Sequence, residues 1–208
     1  MITVALPKGR LMDESLSLLL SCGIEVEAPS SRKLFFFDKS RRYKFLIVRA
    51  QDVATYVEYA AADLGIVGRD VLVESNSDVF ELLDLGIGYC KMVVAGKDKD
   101  CLNEKTSTVR VATKFVNTAK DYFLKKGVNA EVIKLYGSIE LAPLLGLSDC
   151  IVDIVSTGRT LKENGLCVIE EIFESTAILI SNKISYYTKH ALIKGFLDTL
   201  NEPNGTVA

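Results

Sequence analysis

The 208-residue sequence lacks the features that define several common functional classes. Histidine occurs once, at position 190, so no nucleophile, histidine and acid set can be assembled around it. No apolar run approaches the length of a membrane span. Lysine and arginine number 25 against 27 aspartates and glutamates, and this near balance argues against a nucleic-acid-binding surface. Any chemistry in this chain must therefore rest on positioning and fixed charge.

Cysteine is present without the spacing of a metal site or a disulfide framework. The five cysteines form no Cys-x-x-Cys pair and lie mostly within apolar runs: Cys22, Cys90, Cys101, Cys150 and Cys167. This pattern is typical of reduced, largely buried thiols. Because the N-terminus also lacks the apolar segment of a secretion signal, we expect a cytoplasmic protein.

Proline occurs four times, and no stretch of low complexity marks a linker. Apolar strand-like runs alternate with helical periodicity, which predicts an α/β fold with mixed, mainly parallel sheets. The alternation restarts near residue 88. We therefore expect two lobes, residues 1–87 with 183–208 and residues 88–182, and a ligand cleft between them. One continuous doubly wound sheet is the alternative.

The segment at residues 149–161 is the most informative part of the sequence. An apolar strand that carries Asp153 runs into a short turn that opens a helix. The first turn of a helix leaves backbone N–H groups without partners, and Gly158 lets an anion approach them closely. The turn adds three hydroxyl donors: Ser156, Thr157 and Thr160. This order of groups fits a phosphorylated ribose, whose hydroxyls the Asp153 carboxylate could bind; an ordinary turn with a threonine N-cap is the alternative.

Cations cluster near the ends of predicted strands in the first half of the chain. Lys8 and Arg10 flank a glycine before a helix N-terminus, where positive charge is unfavourable without an anion. Arg49 ends another strand of the same predicted sheet, and Arg32 precedes the strand at residues 34–37. Ligands collect at the carboxyl edge of α/β sheets, so these cations are candidate anion-binding groups. Solvated surface charge is the alternative for each.

Two further strand-to-helix turns carry acids. Asp70 follows Gly68 in the first turn of one predicted helix, and Glu140 follows Ser138 in another. A favourable helix dipole accounts for both acids, and a serine N-cap accounts for Ser138. Asp70 can alternatively bind a ribose hydroxyl or an adenine amine. Counting the turns described above, five strand-to-helix turns carry a glycine, a cation or a hydroxyl group. Because this pattern recurs, we favour a shared ligand-binding cleft.

Four segments, in this order and at these spacings, resemble the ATP phosphoribosyltransferase family, which performs the first step of histidine biosynthesis. They are Leu6-Pro-Lys-Gly-Arg-Leu, Asp63-Leu-Gly-Ile-Val-Gly-Arg-Asp, Gly137-Ser-Ile-Glu-Leu-Ala-Pro and Asp153-Ile-Val-Ser-Thr-Gly-Arg-Thr-Leu. The resemblance extends from Ile2 to about Tyr187 and implies two lobes like those of type II periplasmic binding proteins. It also implies transfer of the 5-phosphoribosyl group of phosphoribosyl pyrophosphate to N1 of the ATP adenine, with Mg²⁺ present and pyrophosphate released.

The resemblance implies roles for individual residues. The phosphoribosyl pyrophosphate site would comprise Asp153, Ser156, Thr157, Gly158, Arg159, Thr160 and Leu161. Catalytic neutralisation of the substrate phosphates would fall to Lys8, Arg10, Arg32 and Arg49. The ATP site would comprise Gly9, Gly68, Asp70, Gly137, Ser138 and Glu140. Mg²⁺ would bind through substrate oxygens, with Asp153 as the candidate protein ligand, and Arg159 departs from the small or polar residue expected at its position.

The resemblance also implies a form of the enzyme. Long members of the family continue into a histidine-binding domain, whereas this sequence ends soon after the predicted helix at residues 185–200. We therefore expect the short form, a homodimer within a hetero-oligomer that contains a regulatory subunit related to histidyl-tRNA synthetase. Two rivals remain open: a binding protein of the same architecture, and a phosphoribosyltransferase for another base. Against the second rival, Ile154 stands where the common phosphoribosyltransferases carry a second acid.

Overall fold

The computed structural model describes three stretches of the chain: residues 1–27, 33–98 and 108–201. They fold as two units. Unit 1 contains Met1–Gly88 and the segment that begins at Thr176, and unit 2 contains Tyr89–Ser175. Arg32, most of the predicted loop at residues 97–108, and Cys101 within that loop lie outside the described residues.

The position at which the chain passes back from unit 2 to unit 1 differs from the sequence prediction. The chain re-enters unit 1 at residue 176 instead of residue 183. The reason is the apolar strand Ala177–Ser181, which pairs on both sides with strands of unit 1. An apolar strand carries no local signal of which sheet it will join, so the sequence assigned it to the preceding lobe.

Unit 1 is built on a mixed sheet with six described strands. Numbered along the chain, they are β1 (Ile2–Pro7), β2 (Phe35–Phe37), β3 (Tyr43–Val48), β4 (Leu64–Gly68), β5 (Phe80–Asp84) and β11 (Ala177–Ser181). Across the sheet they follow the order β2-β3-β1-β4-β11-β5. The helices are α1 (Arg10–Ser21), α2 (Val53–Glu58), α3 (Arg69–Ser75), α7 (Lys183–Thr188) and α8 (His190–Asn201), with a 3₁₀ turn at Ala50–Asp52. Strands β3, β1 and β4 run parallel, so their carboxyl ends lie at one edge.

Unit 2 is built on a second mixed sheet. Its described strands are β6 (Cys90–Gly96), β7 (Val109–Thr113), β8 (Ala130–Lys134), β9 (Cys150–Val155) and β10 (Cys167–Ser175). Across the sheet they follow the order β10-β6-β9-β7-β8. Its helices are α4 (Val116–Lys125), α5 (Leu141–Leu144) and α6 (Arg159–Glu163). Strands β9, β7 and β8 run parallel, whereas β6 and β10 are antiparallel to their neighbours.

The α/β class with mixed sheets is confirmed, with one difference in pairing. Of the nine described strand pairings, four are parallel and five are antiparallel. Parallel pairing is confined to three adjacent strands in each sheet. The antiparallel pairs arise from the β2–β3 hairpin and from strands that flank the two points where the chain passes between the units. Among the described helices, none combines the length and the apolar character needed to cross a membrane.

Both faces of each sheet are covered by apolar side chains. In β1, Val4 and Leu6 face a cluster that includes Phe196 of α8, whereas Ala5 faces the opposite cluster with Val53 and others of α2. This alternation follows from the twofold period of a strand. Unit 2 has an equivalent pair of clusters. Three cysteines are buried as predicted and a fourth is half-buried: Cys22, Cys90 and Cys150, then Cys167.

Two elements differ from those the sequence predicts. β5 is absent from the prediction: acids at its second and last positions interrupt its apolar residues, and none of its five residues is fully buried. Periodicity predicts one helix at residues 185–200, whereas the structure has α7 and α8. The break falls at Lys189, which leaves the helical conformation with φ −118°.

Lys189 reaches a buried carboxylate that ties the C-terminal helices to the sheet. Its Nζ lies 2.8 and 2.9 Å from the two oxygens of Asp63, which is 6% exposed. The Ser185 hydroxyl and the Thr3 backbone N–H also donate to this carboxylate. Burial raises the pKa of Asp63, but the hydrogen bonds from Lys189, Ser185 and Thr3 outweigh that effect and leave the pKa below its ordinary value. The resulting stability is present above the pKa of Asp63 in the unfolded chain and is lost as the pH falls through the pKa in the folded chain.

We expect Lys189→Met to lower the free energy of unfolding by about 2 kcal/mol at neutral pH, because a buried carboxylate loses charged hydrogen bonds. Urea unfolding measures the change. The difference from the unmodified chain should shrink in acid, as Asp63 becomes protonated. Lys194→Met on an exposed part of α8 is the matched control and should change stability by less than about 0.5 kcal/mol. Equal losses in the two variants would contradict the role of the pair.

Candidate active site

A pocket of about 160 Å³ lies in unit 2 at the carboxyl end of β9. Its lining runs without interruption from Asp153 to Leu161 and also includes Glu140. All seven residues predicted for the phosphoribosyl site line it: Asp153, Ser156, Thr157, Gly158, Arg159, Thr160 and Leu161. The structure thus gathers the predicted set into one concave site of unit 2.

The turn that opens α6 places its glycine in a backbone conformation that other residues disfavour. Gly158 has φ +73° and ψ 2°, the left-handed conformation that side chains disfavour, and it is the N-cap of α6. No side chain caps this helix, and Thr157 Oγ1 lies as far as 3.5 Å from the Arg159 N–H. The alternative of a threonine N-cap is therefore not realised. The first N–H groups of α6 lack intrahelical partners, and exposed hydroxyls stand beside them, so the turn can bind an anion.

Two residues of the turn have roles other than contact through their side chains. The Arg159 guanidinium is on the surface, where its Nε donates to Glu163 Oε1 at 2.7 Å. Leu161 is 5% exposed and packs with Ile139 and Ile151 in one core cluster. Arg159 therefore contributes backbone to the turn, and Leu161 anchors α6 to the sheet.

Asp153 presents a half-buried carboxylate to the pocket, and Lys114 lies beside it. Lys114 Nζ is 3.6 Å from Asp153 Oδ1, and the Ile154 N–H donates to the same oxygen at 2.8 Å. Burial raises the pKa of Asp153; Lys114 and the Ile154 N–H lower it, the charge of Glu140 raises it, and the net shift is upward. A carboxylate in this position can accept hydrogen bonds from sugar hydroxyls.

Lys114 is the residue that sequence reasoning missed. It follows β7, and the parallel register of Thr113 with Val152 places it next to Asp153 of β9. The sequence signal, a lysine at a strand end, resembles those of Lys8 and Arg49. It becomes informative only with the order of strands in the sheet, because Lys114 and Asp153 are far apart along the chain.

The residues of the other predicted turn of unit 2, at positions 137–140, lie in two different surroundings. Glu140, predicted for the ATP site, lines the same pocket as Asp153. Gly137 and Ser138 are exposed in the connection between β8 and α5, and neither lines that pocket. The alternative of a Ser138 N-cap is not realised, since the N-cap of α5 is Glu140 and no side chain caps the helix.

In unit 1, the predicted cations follow neighbouring strands. Pro7 of β1 is in register with Val48 of β3, and the Lys8 N–H donates to the Val48 carbonyl at 2.8 Å. Lys8 and Arg49 are therefore adjacent and exposed at the carboxyl edge of the sheet. Gly68 ends β4, the next strand of the same parallel set. The structure thus brings three of the predicted positions in unit 1 to one edge.

The other predicted positions of unit 1 have distinct surroundings. Gly9 is the N-cap of α1 with φ +96°, and Arg10 Nη1 lies 3.4 Å from Glu14 Oε1. Asp70 is 7% exposed, and a Cβ added to Gly68 would lie 2.2 Å from its Oδ1, so this carboxylate requires glycine there.

The described residues contain no group of three or more histidine, cysteine or acidic side chains close enough to hold a metal ion. They therefore form no metal-binding site made of protein ligands alone. Mg²⁺ in phosphate-binding sites is commonly held by one or two carboxylates together with substrate oxygens. Asp153 and Glu140 supply two carboxylates in one pocket. The residues present therefore fit Mg²⁺ that arrives with a phosphorylated substrate.

The fold and the pocket together define an α/β protein with the architecture of type II periplasmic binding proteins and a pocket at a glycine and hydroxyl turn that opens a helix. The likeness in fold includes the periplasmic aliphatic sulphonate binding protein SsuA from Escherichia coli, with a TM-score of 0.57 at 13% identity over 97% of this chain and 72% of that one. At this identity the likeness concerns the fold alone.

Sequence comparison gives the family. The family model "HisG: ATP phosphoribosyltransferase" matches residues 49–202. The ATP phosphoribosyltransferase of Caldanaerobacter subterraneus subsp. tengcongensis is 52% identical over 97% of this chain and 96% of its own length; that of Geobacter metallireducens is 50% identical over 97% of each. A solved chain of the "ATP phosphoribosyl transferase (HisG:HisZ) complex from Thermotoga maritima" has a TM-score of 0.84 at 38% identity over 97% of both chains. The chain belongs to the ATP phosphoribosyltransferase family.

We expect Gly158→Val to abolish most binding of a sugar phosphate such as ribose 5-phosphate, because valine shifts the turn out of its left-handed conformation. Gly165→Val is the matched control: Gly165 has φ +66° against +73° for Gly158, and it lies outside the pocket. Both substitutions should cost about 2 kcal/mol of stability through backbone strain. Calorimetric titration of both variants separates the effects, and equal affinities would remove the turn from the binding site.

Proposed function

We propose that the chain transfers the 5-phosphoribosyl group of phosphoribosyl pyrophosphate to N1 of the ATP adenine, releasing pyrophosphate, as the first step of histidine biosynthesis. The observation that carries the proposal is the pocket at residues 153–161, where a strand carboxylate precedes a glycine and hydroxyl turn. Family membership over nearly the whole chain supports the same reaction.

In this proposal the turn binds the 5-phosphate and Asp153 binds the ribose hydroxyls. Backbone N–H groups at the start of α6 and the hydroxyls of Thr157 and Thr160 donate to phosphate oxygens. The lone pair of adenine N1 forms the new bond to C1 of the ribose, and the electrons of the broken C1–O bond leave with pyrophosphate. N1 carries no proton to remove, so the step needs no strong base, in keeping with a chain that has one histidine.

Charge stabilisation is assigned to the cations of unit 1. Lys8 and Arg49, adjacent at the sheet edge, bind substrate phosphate oxygens and stabilise the charge that develops on the leaving pyrophosphate. Arg10, at the start of α1, has the same role, and Arg32 remains a prediction outside the described residues.

The remaining assignments complete the proposal. The positions assigned to ATP binding are Gly9, Gly68 and Asp70 in unit 1, and Gly137, Ser138 and Glu140 in unit 2. Mg²⁺, when bound with substrate near Asp153 and Glu140, supplies charge neutralisation of phosphate oxygens. Asp153 accepts hydrogen bonds from the ribose.

We also propose that the chain acts with a separate regulatory subunit. The solved relative named above is a complex of two kinds of subunit, and this chain aligns with 97% of its matched chain. From the family resemblance we further propose that a homodimer of this chain joins subunits related to histidyl-tRNA synthetase in a cytoplasmic hetero-oligomer.

The decisive experiment mixes the chain with ATP, phosphoribosyl pyrophosphate and Mg²⁺, with and without the regulatory subunit, and follows the ultraviolet absorbance of the product. Turnover with ATP, highest in the complex, is the expected result. Binding without turnover in the complex would favour a binding protein, and preference for orotate or a purine base over ATP would favour a different phosphoribosyltransferase.

Lys8→Ala and Arg49→Ala should each lower kcat by a factor on the order of 100, because each removes a charge that stabilises the leaving group. Arg42→Ala is the matched control, since Arg42 is an exposed cation at the amino-terminal end of β3, opposite to Arg49. Steady-state rates of the complex provide the measurement. Full activity of either variant would assign that cation to the solvated surface.

Histidine should leave the rate of the isolated chain nearly unchanged, because the short form of the family relies on a separate subunit for regulation. Initial rates over increasing histidine, with the chain alone, check this expectation. Clear inhibition of the purified chain without a partner would contradict it.

A further inference from the structure

We propose that Lys114 is a positioning residue for sugar recognition: it holds the Asp153 carboxylate in the orientation that binds the ribose hydroxyls. This inference rests on the proposed function of the pocket. Lys114 itself does not line the pocket, whereas Asp153 does, so Lys114 acts through its neighbour.

The backbone on both sides of Lys114 is fixed. The Thr113 hydroxyl donates to the Val152 carbonyl at 2.6 Å and accepts the Phe115 N–H at 2.8 Å. Thr113 is fully buried, and Phe115 is 4% exposed. These bonds tie the end of β7 to β9 and begin the turn into α4, so Lys114 leaves the sheet at a defined position beside Asp153.

The Lys114 side chain is held between a carboxylate and an aromatic ring. Its Nζ lies 3.6 Å from Asp153 Oδ1 and 4.8 Å from the centre of the Phe115 ring. The side chains of Lys114 and Asp153 are 26% and 19% exposed, so solvent screens the pair less than a surface pair. A lysine restrained on two sides gives the carboxylate a fixed partner.

Two groups contact the same oxygen of Asp153. Lys114 Nζ lies 3.6 Å from Oδ1, and the Ile154 N–H donates to Oδ1 at 2.8 Å. Together these two contacts restrain the rotation of the carboxylate. They thereby set the direction in which Asp153 accepts hydrogen bonds from a ligand.

Lys114 also offsets negative charge in the pocket. Glu140 and Asp153 line the same cavity, and the charge of Glu140 acts unfavourably on Asp153. A phosphorylated sugar brings further negative charge. Without Lys114, two acids would face that ligand, and the repulsion would turn Asp153 away from it.

The test is a double-mutant cycle in the full chain, with phosphoribosyl pyrophosphate and Mg²⁺ as the probe in calorimetric titrations. Lys114→Met should weaken binding by about tenfold in the unmodified chain and by less than about twofold in the Asp153→Asn background, because coupled residues give non-additive effects. Lys114→Arg, which keeps the charge, should retain affinity to within about threefold. Lys120→Met, an exposed lysine of α4, is the matched control and should bind as the unmodified chain does.

Each outcome decides a different claim. Unchanged affinity of Lys114→Met, or the same loss in both backgrounds, overturns the positioning role. Loss of stability without loss of affinity in the folded protein assigns Lys114 to structure alone and also overturns it. If the methionine variant unfolds, Lys114→Gln, which perturbs the fold less, replaces it. The same changes in affinity are then expected in the two backgrounds. Failure of the unmodified chain to bind the probe overturns the proposed function itself, and the inference with it.

Discussion

Parallel pairing of three adjacent strands is the constraint on which the candidate site depends. In unit 2, β9, β7 and β8 end at the same edge, so residues distant in sequence become neighbours there. In unit 1, β3, β1 and β4 do the same for Arg49, Lys8 and Gly68. The antiparallel strands carry none of the predicted site residues. They complete the sheets and bury the apolar faces that keep those three strands in register.

Local chemistry made part of this site predictable. Gly158 was recognisable because a glycine among hydroxyl residues at a strand-to-helix turn lets an anion approach the backbone closely. The structure adds that its backbone is left-handed. The sequence alone predicts strands at Val109–Thr113, Ala130–Lys134 and Cys150–Val155, because β-branched residues are concentrated in each segment. The structure has strands with these bounds. Properties of this kind are set within a few residues and can be read from sequence.

Properties set by sheet order could not be predicted in the same way. Lys114 meets Asp153 only because β7 lies beside β9, and Lys189 reaches Asp63 only because α7 follows a strand that pairs in unit 1. The same dependence explains the displaced boundary at residue 176. In each case a local pattern specifies a strand or a charge, whereas its partner is chosen by long-range pairing.

The charges in the unit 2 pocket suggest why backbone groups and a paired carboxylate are used together. A site filled with cations would bind phosphate tightly but would also hold the leaving pyrophosphate. N–H groups at the start of α6 are neutral donors, which bind a phosphate through partial charge and leave the net charge of the pocket unchanged. Asp153 can then remain beside a phosphorylated sugar because Lys114 balances it from outside the pocket. In the proposed function, a single strand and turn thereby combine groups for sugar hydroxyls with groups for phosphate, which call for opposite charges.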